Sequence, residues 1–339
     1  MKEIQYIVVI DGSSYKTMYE YMLADLDGLD NVTIVVDYPR KNKFKKIILK
    51  SKVQKFFKGS LDWMAYEENN LFLTIDRLSK KNNRICVVFF NASLNYNPYT
   101  AGTLKKYKRM YPSMKYVMFY LDIMNTGVSI NADYLRKKNI FDLVYTIDYE
   151  DALRTKAIFW RTIYSKKDEY PNIQLKDDIY FCASSKGRGE LILECVKEAM
   201  KNNISMLVDI IPNSDEEYLK KNKMKNVRVR SKGDYIEYSE VLKNELSSKC
   251  LLEIVQEGQV ALTLRPYEAV LYNRKLLTNN KSILDFPYYT EKYMQYFEKV
   301  QEIDWEWIKS DVQVNYDYQG EFSPKYLLED IKKRLEEKK

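Results

Sequence analysis

Ile179-Tyr-Phe-Cys-Ala183 runs straight into Ser184-Ser-Lys-Gly-Arg-Gly-Glu190, and an amphipathic stretch continues to Lys201. A short run without polar interruption suits a strand buried on both faces. The small and polar residues after it make a tight turn, and 190–201 has helical spacing. Strand, turn and helix in that order form the building unit of a parallel sheet covered on both sides.

The same grammar extends in both directions. Downstream, Ser205-Met-Leu-Val-Asp209, Val227-Arg-Val229, Leu251-Leu-Glu-Ile-Val255 and Lys275-Leu-Leu-Thr278 read as strands. Upstream, Gln5-Tyr-Ile-Val-Val-Ile10 ends in Asp11-Gly-Ser-Ser14, and further strands are expected at 32–37, 85–90, 116–121 and 143–147. Helical stretches at 60–79 and 101–111 separate them. A polar segment, Lys166 to Asp178, divides the two series. The expected fold is therefore α/β, with two tandem Rossmann-like doubly wound domains facing a cleft. Residues 1–170 form the first, 171–322 the second, and 323–339 a closing helix with Pro324 at its first position. Ligands of such sheets bind outside the carboxyl ends of the strands.

The chain has 339 residues, 45% apolar and 30% charged, a soluble globular composition with enough length for two cores. No apolar run approaches the roughly 20 residues of a bilayer helix. The start enters a strand directly, so no cleavable leader is expected and the cytosol is the expected compartment. There is no histidine. Serine–histidine and cysteine–histidine nucleophiles and histidine-ligated zinc are thereby excluded, and any acid or base must be Asp, Glu, Lys, Tyr or Cys. Cys86, Cys182, Cys195 and Cys250 lack metal or redox spacing, and Cys86 and Cys182 read as small core residues. Thirty tyrosines fit a biased composition and indicate no ligand by themselves. Charge divides unevenly: residues 1–172 hold 28 basic against 19 acidic side chains, a net of +9, while 173–339 hold 27 against 29. The first half is expected to face something anionic.

Two segments of the second half could carry chemistry. In Ser184-Ser-Lys-Gly-Arg-Gly-Glu190, small residues permit close backbone approach. The helix start offers free N–H groups, and Lys186 and Arg188 add charge, which together suit a diphosphate. The alternative is a solvated turn whose glycines serve only its backbone angles. The second segment is Glu257-Gly-Gln-Val-Ala-Leu-Thr-Leu-Arg-Pro-Tyr-Glu-Ala-Val270. Pro266 opens a helix, Thr263, Leu264 and Arg265 precede it with amides and a guanidinium for phosphate oxygens, and Glu268 could accept from a ribose diol. Alternatively, Glu268 only stabilises the positive end of its helix.

These segments, with the block "LTLRPYEAVLYNRKLLTNN", resemble the donor domain of B-type glycosyltransferases, and look most like the bacterial members that build capsule, exopolysaccharide or lipopolysaccharide. The resemblance implies a GT-B-like fold with an acceptor-side first domain and a nucleotide-sugar-binding second domain. It implies a nucleotide diphosphosugar as co-substrate, no further cofactor, and a glycan or lipid-linked acceptor. Ser184, Ser185, Lys186, Arg188, Thr263, Leu264, Arg265 and Glu268 would be the donor-binding set. Two departures stand out: Val260 occupies the first position of the Glu-x7-Glu pair of retaining members, and Asn279-Asn280 replaces Gly-Gly after the last strand.

In the first half, Asp11 and Asp122 follow strands and are the candidate bases for an acceptor hydroxyl, if they are not turn or capping carboxylates. Asp25-Leu-Asp27, the sole Asp-x-Asp triplet, lies in a helix-to-loop stretch, so a metal-independent site is expected. Arg40 to Lys58 carries nine basic residues and no acid, interleaved with apolar ones. Lys45, Lys46, Lys50 and Lys52 are the candidate contacts to an anionic membrane surface or acceptor, against the alternative of a helix packed on its own domain. The acidic second half argues against a nucleic-acid track. Transfer of a sugar to a growing surface glycan at the inner membrane face is the leading expectation. An epimerase or hydrolase, or a catalytically silent glycan- or partner-binding subunit, are the alternatives.

Overall fold

A computed structural model describes residues 3–12, 16–37, 70–81, 84–94, 99–124, 130–167, 173–231, 234 and 236–337. The chain divides into two compact units, residues 1–165 with 323–339, and residues 166–322.

The first unit holds strands β1 (Ile4–Asp11), β2 (Val32–Asp37), β3 (Arg84–Phe90), β4 (Lys115–Tyr120), β5 (Leu143–Thr146) and β6 (Ile158–Phe159). They form one parallel sheet in the order β2-β1-β3-β4-β5-β6. Alternation along a strand sends successive side chains to opposite faces. Ile7 and Val9 of β1 pack with Leu71, Phe72 and Ile75 of the Asn70–Ser79 helix and Leu104 and Tyr107 of the Ala101–Met110 helix. Tyr6, on the opposite face, donates its hydroxyl to Leu328 O of the closing helix Pro324–Glu337 at 3.0 Å. That helix buries Leu327, Leu328, Ile331 and Leu335, and Tyr145 donates to its Asp330 at 2.7 Å.

The second unit contains β7 (Asp177–Ser184), β8 (Met206–Ile211), β9 (Val227–Val229), β10 (Ser248–Glu253), β11 (Lys275–Thr278) and β12 (Met294–Tyr296), again all parallel, in the order β12-β11-β10-β7-β8-β9. The helix Gly189–Lys201 covers one face, where Ile192, Leu193 and Val196 meet Ile179, Phe181 and Val208. Val241 of the helix Tyr238–Leu246 meets Tyr180 and Cys182 on the other. Both sheets are covered on two sides, as two Rossmann-like domains require.

Strand β10 differs from its expected span, 251–255. It begins at Ser248, paired with Asp177, and its ladder stops at Glu253. Ile254 and Val255 stay buried, but Arg188 donates to Ile254 O and Val255 N–H donates to Asn279 Oδ1 at 2.7 Å, so side chains replace the ladder. Strands β6 and β12 have two and three residues, too few for a readable period. All four cysteines are free and buried. Among the described residues no helix is long and apolar enough to cross a membrane.

Candidate functional site

In the second unit the chain leaves β7 for β8 on one side and returns to β10 on the other. The carboxyl ends of β7 and β10 therefore flank the switch point, the place where doubly wound sheets leave a crevice for ligands. The turn after β7 is held from several directions. Ser185 N–H donates to Ile211 O at 2.9 Å, and its hydroxyl accepts from Asn213 N–H at 2.9 Å and donates to Asp215. Lys186 and Gly187 take positive φ angles of 42° and 83°, which reverse the chain into the helix. Gly189 N–H donates to Asp215 Oδ2 at 2.8 Å. A carboxylate of the protein thus caps the first turn of this helix. Burial raises the Asp215 pKa, but hydrogen bonds from Ser185 and Gly189 outweigh it and hold the group below the ordinary carboxylate value. Of the basic residues in the turn, Lys186 is exposed.

Two arginines converge on the carboxyl end of β7. Arg188 donates to Ser184 O, to Ile254 O and, at 3.1 Å, to Ser185 O. Burial, then the nearby Arg265 charge, pulls its pKa down. The helix spans Arg265–Leu271 and so starts one residue earlier than expected, with Arg265 inside it, Pro266 in the first turn and Leu264 as its cap. The Arg265 guanidinium donates to Cys182 O at 2.9 Å and lies 2.6 Å from Glu245 Oε1, a charge contact more than an aligned hydrogen bond. Glu268, in the same helix, is fully buried and accepts from the Tyr238 hydroxyl. Burial and then the Glu268 carboxylate drive Glu245 up to about 8, although Arg265 works against the rise. Burial also disfavours charge on Arg265, but Glu245 and Glu268 together hold it protonated.

The loop between β10 and the 265–271 helix is fastened by buried polar groups. Glu253, 2% exposed, accepts Thr263 N–H at 2.9 Å and the Thr278 hydroxyl at 2.5 Å. Asn280 reaches Ala261 O at 3.2 Å and caps the following turn through Ser282 N–H at 3.1 Å. Asn279 and Asn280 therefore act as side-chain ties where the resembled family has glycines. A groove of about 620 Å³ opens beside these ties. Gly187, Arg188, Glu190 and Glu194 line one wall, and Val255–Val260 with Asn279–Ser282 line the other.

The residues expected to bind a donor lie near one sheet end, but they differ in availability. Lys186 is exposed, Ser184, Thr263 and Leu264 are half-buried, and Ser185 and Glu268 are buried. Arg188 and Arg265 are engaged with backbone carbonyls, and Arg265 with a carboxylate as well.

In the first unit, Asp11 ends β1 with 1% exposure, opposite Asp37 in the parallel register. Asp122, after β4, is exposed and accepts from Asn91 Nδ2 at 3.3 Å, while Asn91 Oδ1 accepts Leu121 N–H at 3.0 Å. Asp25 lies in a short 3-10 turn, and its N–H donates to Ser165 Oγ at 3.0 Å. Lys45, Lys46, Lys50 and Lys52 lie outside the described residues, as does the 60–69 part of the helix expected over 60–79.

Asp215, Tyr238, Glu245, Glu253 and Asn91 were not among the sequence candidates. Glu245 carried a readable signal, an acid on the face that Val241, Leu242 and Leu246 make apolar. Asp215 had none, since Pro212-Asn-Ser-Asp215 reads as any polar turn.

The sequence matches no protein-family model and no curated protein. Several solved structures share its fold. HepE from Anabaena, crystallised with UDP and glucose, has a TM-score of 0.54 at 8% identity over 98% of this chain and 100% of its own. A protein from Listeria monocytogenes described as a UDP-N-acetylglucosamine 2-epimerase scores 0.51 at 9% identity, covering 99% of this chain and 98% of that one. The catalytic domain of starch synthase IV from Arabidopsis thaliana, bound to ADP and acarbose, scores 0.50 at 9% identity over 91% and 94%. At these identities the likeness is one of fold: the chain is built as two Rossmann-like domains of the GT-B type.

Proposed function

We propose that the protein is a glycosyltransferase that moves a sugar from a nucleotide diphosphosugar to a growing surface glycan or lipid-linked acceptor, without a bound metal. The observation that carries this reading is the switch-point crevice of the second unit, where the turn that bears the exposed Lys186 lines a groove of about 620 Å³ through Gly187 and Arg188. HepE, similar in fold, was crystallised in complex with UDP and glucose, and the catalytic domain of starch synthase IV is bound to ADP and acarbose.

In this reading the nucleotide lies in the groove and its diphosphate faces Lys186, since the Ser185, Arg188 and Gly189 amides already have acceptors within the protein. Ser184, Ser185, Thr263 and Leu264 contribute backbone at the crevice. Arg188 shapes it by tying the end of β7 to Ile254 beyond β10, Arg265 ties its helix to β7, and both add positive potential. Glu268 would have to leave Tyr238 to meet a ribose, whereas Glu257 is exposed on the groove wall and is better placed for the diol. Leaving-group charge would be met by fixed cations and dipoles. Asp122, exposed at a strand end, is the better-placed base of the two aspartates for an inverting reaction, since Asp11 is buried. The protein would work at the inner membrane face, where such acceptors are held.

The test is thermal stabilisation by a panel of nucleotides and nucleotide sugars, followed by product analysis with membrane extract as acceptor source. A binding nucleotide at about a hundred times its Kd adds about 2.7 kcal/mol. Free nucleotide with a lengthened glycan supports transfer. A converted sugar nucleotide, or free sugar, points to an epimerase or hydrolase. No stabilisation by any nucleotide refutes the donor site.

The commitment of Arg265 and Glu268 to internal partners favours a second reading, a catalytically silent glycan- or partner-binding subunit. It predicts no turnover of any donor in the same assay.

A further inference from the structure

The first sheet has a switch point of its own. The chain leaves β1 for β2 on one side and returns to β3 on the other, so the carboxyl ends of β1 and β3 flank a second crevice. Asn91 follows directly on β3, in the short 3-10 turn Asn91–Leu94, and is fully buried. Ser93 Oγ donates to Phe90 O at 2.7 Å and Asn131 Nδ2 to Leu94 O at 2.7 Å, which fixes the turn. Asn91 Oδ1 accepts Leu121 N–H at 3.0 Å, and this sets the orientation of the amide, because a flipped one would place donor against donor. Its Nδ2 is thereby aimed at Asp122 Oδ2, 3.3 Å away. Asp122 is exposed, and among the described residues nothing else binds its carboxylate.

We infer that Asn91 is a positioning residue, which holds Asp122 at the carboxyl edge of the first sheet as the base for an acceptor hydroxyl. The inference rests on the transfer reaction proposed above. In an inverting transfer the acceptor oxygen bonds to the anomeric carbon as that carbon's bond to the diphosphate oxygen breaks. The hydroxyl proton goes to Asp122, and the electron pair of the broken bond leaves with the nucleoside diphosphate. An exposed carboxylate on an untethered side chain samples several rotamers, whereas proton abstraction needs one. A tie between strands would not require this arrangement. In the second unit Asn279 makes the matching tie, accepting Val255 N–H at 2.7 Å, with no carboxylate against its amide nitrogen among the described residues. The oxygen is enough to join two strand ends; the nitrogen of Asn91 is what reaches the base.

The full chain is assayed for release of nucleoside diphosphate from UDP-glucose, UDP-N-acetylglucosamine, ADP-glucose and GDP-mannose, with membrane extract as acceptor source. With a donor that is turned over, Asn91→Ala should lower kcat roughly ten-fold or more. The donor KM should stay within about two-fold, since the donor groove belongs to the other unit. Asp122→Asn should lower kcat further. The two combined should be no slower than Asp122→Asn alone, an outcome that a general loss of folding would not reproduce. Asn91→Asp retains an acceptor for Leu121 N–H but sets a carboxylate against Asp122, and it should be at least as slow as Asn91→Ala. It serves where the alanine variant melts early, and melting temperatures show which variants are folded. Additive losses, or an Asn91→Ala enzyme as fast as the parent, overturn the role of Asn91 and leave transfer intact. A parent that turns over none of these donors overturns transfer and this inference together.

Discussion

Arg265 Nη2 stands 2.6 Å from Glu245 Oε1, and the two residues belong to the helices that precede and follow strand β10. The Glu245 side chain is 2% exposed and that of Arg265 19%. This ion pair therefore fastens two helices to each other on one face of the second sheet, with Glu268 as its third member.

Removing Arg265 takes the cation from a buried site shared by the Glu245 and Glu268 carboxyls and removes the donor to Cys182 O. Arg265→Ala should destabilise the second unit by about 3 kcal/mol, the lower end of the range for buried pairs because the guanidinium keeps some solvent contact. Arg265→Lys should recover little, since an ammonium cannot span both Cys182 O and Glu245. The urea midpoint reads both, and an alanine variant as stable as the parent would contradict the burial described.

Stability should also depend on pH through Glu245. Its carboxyl moves from an ordinary 4.5 to about 8 on folding, mainly by burial. A group raised in this way binds more protons when folded, so its stabilisation is complete below the unfolded value and disappears as pH climbs through the folded one. The second unit should weaken between about pH 4.5 and pH 8. Glu245→Gln should flatten that dependence, as melting temperatures measured across the interval would register.

Gly189 is fixed by its surroundings. A Cβ there would sit 2.8 Å from Asp215 Oδ2 and 3.1 Å from Leu219 Cδ2. Gly189→Ala should cost about 1–3 kcal/mol by overpacking. Asp215→Ala, which strips the helix of its cap, should cost about 1–2 kcal/mol. Combined, the two should cost less than their sum, because the smaller side chain at 215 makes room for the methyl. Denaturation of the two single variants and the double variant measures this coupling.

Lys186 is expected to separate binding from folding. It is exposed, and its side chain makes no hydrogen bond or ion pair among the described residues. Lys186→Asn preserves the positive φ of 42° and should leave the melting temperature unaltered. Loss of one charged hydrogen bond, at about 1.5–3 kcal/mol, should weaken nucleoside diphosphate binding roughly ten- to a hundred-fold by calorimetry.

The strands were legible because most are buried on both faces and read as unbroken apolar runs. Val32–Asp37, Val227–Val229 and Lys275–Thr278 fall where the residues predict. Strand β10 was displaced because Ser248 and Lys249 look polar, while Ile254 and Val255 look like strand although their backbone is satisfied by Arg188 and Asn279. The turn 184–189 could be recognised from its small residues. The assignments of Arg188, Arg265 and Glu268 could not, because Ile254, Glu245 and Tyr238 lie 20 to 66 residues away and only the folded sheet brings them together. A cation beside a strand end has the same local sequence whether it awaits a phosphate or holds a carbonyl.

The closing helix Pro324–Glu337 belongs to the first unit although the whole second unit precedes it in the chain. During synthesis the lobe begun first must therefore wait. Until the ribosome delivers these last turns, Tyr6 and Tyr145 lack their acceptors Leu328 and Asp330, while the later lobe already has every strand of its sheet. Domains generally fold as units in order of emergence. Here the order of completion is inverted, and the amino-terminal lobe is the one exposed to chaperones and proteases for longest.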